Sequence, residues 1–564
     1  MRCELRSFGT LDRLLVSTST RNHDTRGDPG TMKPPSRQVL FWLAISTILI
    51  AALAVVLWVF VYPVWQQASA KDVALRLVET APTGPEWLNW QIDDPNLPRQ
   101  LEQSRRDEIA LQYLLAQREL QFARLGGDVS GLRTYFQEGA LRDALDAARQ
   151  PRARVVGWDH RLNLRFYAPD GATVSFTDTY WTVQALEPIV KSPPRFEDVR
   201  FSRRTLDVVM QLDDGNWRIH HWRVTEETAL KRDRTFPNLE PELAAVRGVN
   251  YVGRSHPFDD FWPTFNASEV RSSFALAAQL NLNTVRIFVT QPVLPETVKR
   301  LPELLEIARA AKLRVIVTLL DGYTDDKLED LPQIWHGIAQ LLPALRHANV
   351  LAIDVKNEAE RDVKRARWDQ VRAVLGFLAT RLRSETGKPT TAGLTDPDPA
   401  LSSNLDFVTL HHYGSLERLE ARIQSARTTG KPVLLEEFGF HTWRAKLPDP
   451  HTELEQASHY ARTLEVTKRE RIGFLAWTLH DFADGTMPGS RQVERHLGIA
   501  RADGSLKPVA FVLQGEAVPV SDWWDKLGKL EAYLRLILPA VVFGILALVL
   551  TVRIRSRKSV DRSG

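Results

Sequence analysis

Between Val246 and about Gln514, short apolar runs alternate with longer segments of helical period, eight times over. A strand buried on both faces reads as a continuous apolar run, and a helix between two such runs returns the chain so that the next strand lies parallel. The runs fall at 248–252, 284–289, 315–319, 351–355, 390–393, 407–410, 433–435 and 474–477. The segments between them carry helical signals. Ser268 is placed to cap a helix bearing Val270, Phe274 and Ala277. Trp368, Val371, Leu375, Leu378 and Leu382 form one stripe that ends near Gly387 and Pro389. Eight such units in roughly 270 residues predict an α/β fold, a (β/α)8 TIM barrel over 246–514. A doubly wound open sheet is the rival, but no Gly-rich phosphate loop follows the first strand.

Barrel enzymes do chemistry at the C-terminal ends of their strands. Those ends supply Asn250, Arg286, Asp321-Gly322-Tyr323, Asn357-Glu358, His411-His412-Tyr413, Glu437 and Trp477, in order along the chain. Glu358 and Glu437 close the fourth and seventh runs. Two carboxyls facing each other across a barrel mouth can cleave a glycosidic bond with retention. One attacks the anomeric carbon while the other protonates the departing oxygen and later activates water, at a separation of about 5–5.5 Å. The attacking carboxylate must stay ionised, which a guanidinium favours; Arg286 is the candidate, with Tyr413 as a second donor. The acid must hold a proton, which predicts a less polar, partly desolvated place for Glu358. Asn357 suits a sugar 2-hydroxyl, and Trp477 suits the apolar face of a sugar ring.

In this order the residues resemble clan A glycoside hydrolases, family 5 and its relatives. The matching stretches are Asn-Thr-Val-Arg-Ile at 283–287, Asn357-Glu358, His411-His412-Tyr413, Glu437-Phe438-Gly439 and Trp477. The resemblance implies Glu358 as acid/base and Glu437 as nucleophile, since the family places its nucleophile directly before the aromatic–glycine pair. His411 and Tyr413 match its His-x-Tyr. Strand alternation selects one of the neighbours Glu436 and Glu437 for the mouth. The likeness covers about half the chain and departs from the family at the third strand, where Asp321-Gly322-Tyr323 stands in place of a frequent histidine. No cofactor is implied. Metal binding is poorly supported, because His411 and His412 are adjacent and no spaced His or Cys set accompanies them.

Residues 71–235 follow a different rhythm and predict a smaller α+β domain. Ile109, Tyr113, Leu114 and Leu120 share a helical face, and 132–148 continues in helical fashion. After Pro151 the period changes to two, with turns at Pro169-Asp170-Gly171 and Asp213-Asp214-Gly215-Asn216. Helices followed by a long antiparallel sheet resemble the cone-shaped nuclear transport factor 2 and SnoaL-like group. The neighbours His220 and His221 point to opposite faces of a strand and make no catalytic pair. A spacer or docking role is expected.

Two apolar runs flank these domains. The run 39–61 carries no charge and is long enough to span a bilayer; 534–552 is shorter and sits at the lower limit. Trp42, Trp58, Tyr62 and Trp65 edge the first run, while Trp523, Trp524 and Tyr533 precede the second. Lys33 and Arg37 before the first, and Arg553, Arg555, Arg557 and Lys558 after the second, predict two spans with both termini cytoplasmic. That leaves a cytoplasmic leader at 1–38, with Met32 a candidate true start, a basic tail at 553–564, and both domains outside the cytoplasmic membrane. The net charge of +4 is spread thinly and gives no reason to expect nucleic acid. The single Cys3 permits no internal disulfide.

The expectation is a membrane-anchored retaining hydrolase of a β-linked polysaccharide in the periplasmic or extracytoplasmic space. A transglycosidase on the same site is one alternative, favoured if aromatics such as Trp262, Tyr323 and Trp443 exclude water. A catalytically silent glycan-binding or scaffold subunit beside a membrane polysaccharide synthase is another.

Overall fold

The computed structural model describes residues 88–518 apart from short stretches, with 537–538 and 541–547 beyond them. The chain divides into a unit Met1–Thr83, outside the described residues, and a unit Gly84–Gly564 that holds everything below. The apolar run 39–61 and most of 534–552 also lie outside the described residues. Among those described, no helix is long and apolar enough to cross a membrane. Residues 541–547 are helical, and Val541, Val542, Phe543, Ile545 and Leu546 are exposed on them.

The first part is a helical layer on a sheet. Strand β1 (Leu88–Trp90) runs parallel to β2 (Ala153–Tyr167), and β2, β3 (Thr173–Leu186), β4 (Val199–Asp213) and β5 (Asn216–Ala229) form an antiparallel meander. The β4–β5 turn needs left-handed backbone at Asp214 and Gly215, with φ of 50° and 80°, the geometry that suits tight hairpins. The helix Gln103–Arg124 buries Ile109, Tyr113, Ala116 and Leu120 against Phe176, Leu206, Val208 and Trp217. Helical period over 132–148 does not give one helix. The chain breaks at Phe136, which is extended, fully buried and bridged to Ile219, so two short helices flank it.

Eight parallel strands follow: β6 (Arg247–Asn250), β7 (Thr284–Thr290), β8 (Arg314–Asp321), β9 (Val350–Asn357), β10 (Thr390–Gly393), β11 (Val408–His412), β12 (Val433–Phe438) and β13 (Gly473–Ala476). A helix follows each, from Ala267–Gln279 after β6 to Pro508–Gln514 after β13. The order β10-β9-β8-β7-β6-β13-β12-β11 is that of a (β/α)8 barrel, with β10 and β11 meeting at the seam. There the Thr391 hydroxyl donates to the Phe407 carbonyl (2.9 Å) and the Thr409 hydroxyl to that of Ala392 (3.0 Å). The cap of the helix after β6 is Asn266, not Ser268; its side chain accepts from the Ser268 and Glu269 amides.

The barrel is apolar at its base and polar at its mouth. Leu243, Ile316, Leu351, Phe407, Leu434 and Leu475 fill the lower end, where the helix Leu239–Ala244 plugs it. The sheet joins the barrel flank through Trp158, Val183 and Ala185, which belong to the barrel's own core. Phe377 on the helix Trp368–Thr386 meets Trp158 edge-on at 5.1 Å and stacks on Phe201 at 4.8 Å. Arg381 stands over the rings of Trp181 (3.9 Å) and Trp335 (4.6 Å).

Candidate active site

Arg286 organises the mouth. It sits in the middle of β7, where the fully buried guanidinium must satisfy all five of its N–H donors. It does so on five acceptors. Nε donates to Thr318 (2.7 Å), Nη1 to Asn250 (3.1 Å) and Glu437 (2.6 Å), and Nη2 to Asp354 (2.7 Å) and Asn357 (2.9 Å). A sixth oxygen, from Glu436, lies 3.4 Å from Nε. Neighbouring strands thus lock their polar side chains to one cation.

Both neighbours Glu436 and Glu437 reach the interior, against the expectation from alternation. The reason is a bulge. Leu410 pairs with Leu435 but His411 pairs with Glu437, so Glu436 is one residue too many on β12, and the β12–β13 register slips at the same place. Glu437 takes hydrogen bonds from Arg286 and from the Tyr413 hydroxyl (2.8 Å). Glu436, fully buried, lies below it, with Oε2 3.3 Å from His411 Nε2.

Glu358 stands one residue beyond β9 with φ of +40°, a region that side-chain-bearing residues rarely adopt. Such an outlier marks a position held by its surroundings. Its carboxylate lies 3.1 Å from His411 Nδ1 and pairs with Arg361 one helical turn on. The polar atoms of Glu358, His411 and Glu437 all lie within 4.8 Å of one another. Arg286 pairs with Glu437, and His411 and Arg361 with Glu358, so each carboxylate already touches a basic group of the chain.

The electrostatics correct a second expectation. Burial acts to raise the Glu358 carboxyl, but the hydrogen bond and charge of His411, with Arg361, outweigh it and hold the group below the usual range. Desolvation therefore does not protonate Glu358 in this state. Burial also pushes His411 down, yet the Glu437 charge and the bonds to Glu358 and Glu436 lift it to about 10. Deeper in the barrel, burial and the charge of Glu436 raise Asp354 to about 7, against the pull of Arg286. Burial lifts Asp321 to about 6.

Of the residues singled out from sequence, Asn250, Arg286, Asn357, Glu358, His411, Tyr413 and Glu437 converge. Trp477 joins them from the side. It is buried, its indole N–H reaches Glu494 (3.2 Å), and its ring meets Phe288 edge-on at 5.7 Å. Tyr323 packs on the barrel's apolar core. Trp262 is also core, with its N–H on the Phe288 carbonyl (2.8 Å), while Trp443 lies beside His496. Sequence reasoning missed Thr318, Asp354, Arg361 and the inward turn of Glu436. Asp354 had a signal: an acid inside the apolar run 351–355 needs a buried partner.

No family model and no curated protein matches the chain. Solved structures do. The exo-β-1,4-mannosidase Op5Man5 from Opitutaceae bacterium strain TAV5 is 19% identical, with a TM-score of 0.39 over 51% of this chain and 60% of its own. The chain thus spans less than two thirds of that enzyme. A GH5_18 protein from Streptomyces cattleya, in complex with GlcNAc, is 20% identical, with a TM-score of 0.41 over 48% of this chain and 79% of its own. A glycoside hydrolase family 17 β-1,3-glucanosyltransferase from Rhizomucor miehei is 16% identical, with a TM-score of 0.36 over 47% of this chain and 96% of its own. All three are distant.

Proposed function

We propose that this chain is a retaining glycosidase acting on a β-linked polysaccharide, with Glu437 as nucleophile and Glu358 as acid/base. One observation carries the reading. Oxygens of the two glutamates lie within 4.8 Å at the barrel mouth. That suits direct attack and a glycosyl-enzyme, whereas inversion needs about 6.5–9.5 Å to admit a water. Arg286 and Tyr413 aim Glu437 and neutralise it while it waits. As the sugar–oxygen bond breaks, Glu437 forms an ester with the anomeric carbon and Glu358 protonates the leaving oxygen. Water then attacks the same carbon, Glu358 takes its proton, and Glu437 leaves. Asn357, held by Arg286, is placed for the sugar 2-hydroxyl.

The same reading puts the enzyme at the outer face of the cytoplasmic membrane, held by the runs 39–61 and 534–552, beside a membrane polysaccharide synthase. The exposed apolar residues of 541–547 support the second anchor.

The test is turnover by the full chain in mild detergent on a panel of β-glucans and β-mannans, beside Glu437→Gln. We expect the variant to lose on the order of 10⁴-fold in rate, and the first-formed product to keep the β configuration. Turnover that survives in Glu437→Gln would sink the assignment. Transfer products in place of reducing sugar would favour a transglycosidase, and an inert wild type a silent binding subunit.

A further inference from the structure

We propose that the catalytic proton rests on His411 rather than on Glu358, and that Glu436 is the positioning residue that keeps it there; this deepens the glycosidase reading above and rests on it. The imidazole is fully buried between three carboxylates, with Nδ1 3.1 Å from Glu358 and 3.5 Å from Glu437, and Nε2 3.3 Å from Glu436. A neutral ring has one N–H and could serve one side only. An imidazolium serves both sides. The other groups around it have partners of their own. Arg286 and Tyr413 hold Glu437, Asp354 shares Arg286, Asp321 lies beyond Asn357, and Arg361 pairs with Glu358. From the next helix Arg422 donates to the His411 carbonyl (2.8 Å) and anchors the backbone. The bulge in β12 is what brings Glu436 to the far nitrogen.

The proton then moves in balanced steps. A sugar ring entering above Glu358 displaces Arg361, whose side chain is two-thirds exposed, and removes one charge that favours the carboxylate. The proton on Nδ1 passes to Glu358 Oε1. His411 is left neutral with its remaining hydrogen on Nε2, the tautomer that still donates to Glu436. Glu358 gives the proton to the leaving oxygen as Glu437 bonds to the anomeric carbon. In the second half Glu358 takes a proton from the attacking water and returns it to Nδ1. Glu436 thus stabilises the charged ring before the transfer and fixes the tautomer after it, a role shared with the buried acid behind a catalytic histidine.

The test reads the proton directly. The full chain is labelled with ¹⁵N-histidine in detergent, and His411→Asn assigns the ring. We expect both His411 nitrogens to be protonated at pH 8 in the wild type, and the ring to titrate at least tenfold more readily in Glu436→Gln, one pH unit lower or more. In Glu436→Asp, which keeps the charge, the shift should be smaller. On any β-glycan that is turned over, the alkaline limb of kcat/KM should move down by the same amount in Glu436→Gln. A merely structural Glu436 would lower the rate at every pH and leave the limb in place. A neutral His411 at pH 7 in the wild type, or a titration unmoved in Glu436→Gln, overturns the proposal. A chain that turns over no glycan overturns the functional reading instead, and the titration still locates the proton.

Discussion

At the scale of single residues, Arg286 has the least room for substitution. Its five bonds end on five different side chains, and a lysine offers three donors from a single point. We expect Arg286→Lys to leave buried carboxylates unpaired, at a cost on the order of 3 kcal/mol or more, and to remove most activity. A thermal melt read beside turnover checks both. His411 ties stability to pH. Its folded pKa is raised above the unfolded value, so its contribution is whole below about 6.5 and is lost as pH rises through about 10. Asp354 adds in the same sense lower down. An acid raised to about 7 makes the native state hold the extra proton, so stability falls between about pH 4 and 7 on its account. Wild-type melting temperature should therefore fall steadily from neutral pH to pH 10, and His411→Asn should flatten that limb.

Among elements, β10 and β12 decide the shape of the site. Gly393 on β10 faces the ion cluster. A Cβ there would lie 3.0 Å from Arg286 Nη2, 3.2 Å from Asp354 Oδ2 and 3.2 Å from Glu436 Oε2. Gly393→Ala should push on all three, and we expect a loss of roughly tenfold or more in kcat with modest change in KM, read from steady-state kinetics. A rate equal to wild type would mean that the cluster gives way freely. The sequence announced these strands but not this detail. Apolar runs located all eight because a parallel strand buried on both faces has few polar positions to confuse the pattern. Site residues at the strand ends were legible for the same reason, as polar groups where the apolar run stops. Glu436 was misread because a bulge breaks the period of two, and register is a property of two strands rather than one. The ionisation of Glu358 was misread because its partner His411 lies 53 positions away in the chain, and only the fold sets that distance.

Taken whole, the sheet and the barrel share one core, since Trp158, Val183 and Ala185 belong to the same cluster as the barrel helices. Phe377 stands at their junction, against Trp158, Trp181, Phe201 and Trp335. Phe377→Ala should cost about 3–5 kcal/mol and turn one thermal transition into two, seen by calorimetry; a single unshifted transition would mean that the junction adds little. The helix that carries Phe377 leads directly into β10, the strand beside the seam that two threonine hydroxyls close. A cask with one unglued stave keeps its shape if a hoop presses on that stave from outside. The β-sheet packs on that helix like such a hoop, so a blow to its aromatic face should reach the candidate site as a change in the mouth's aperture, without touching Glu358 or Glu437.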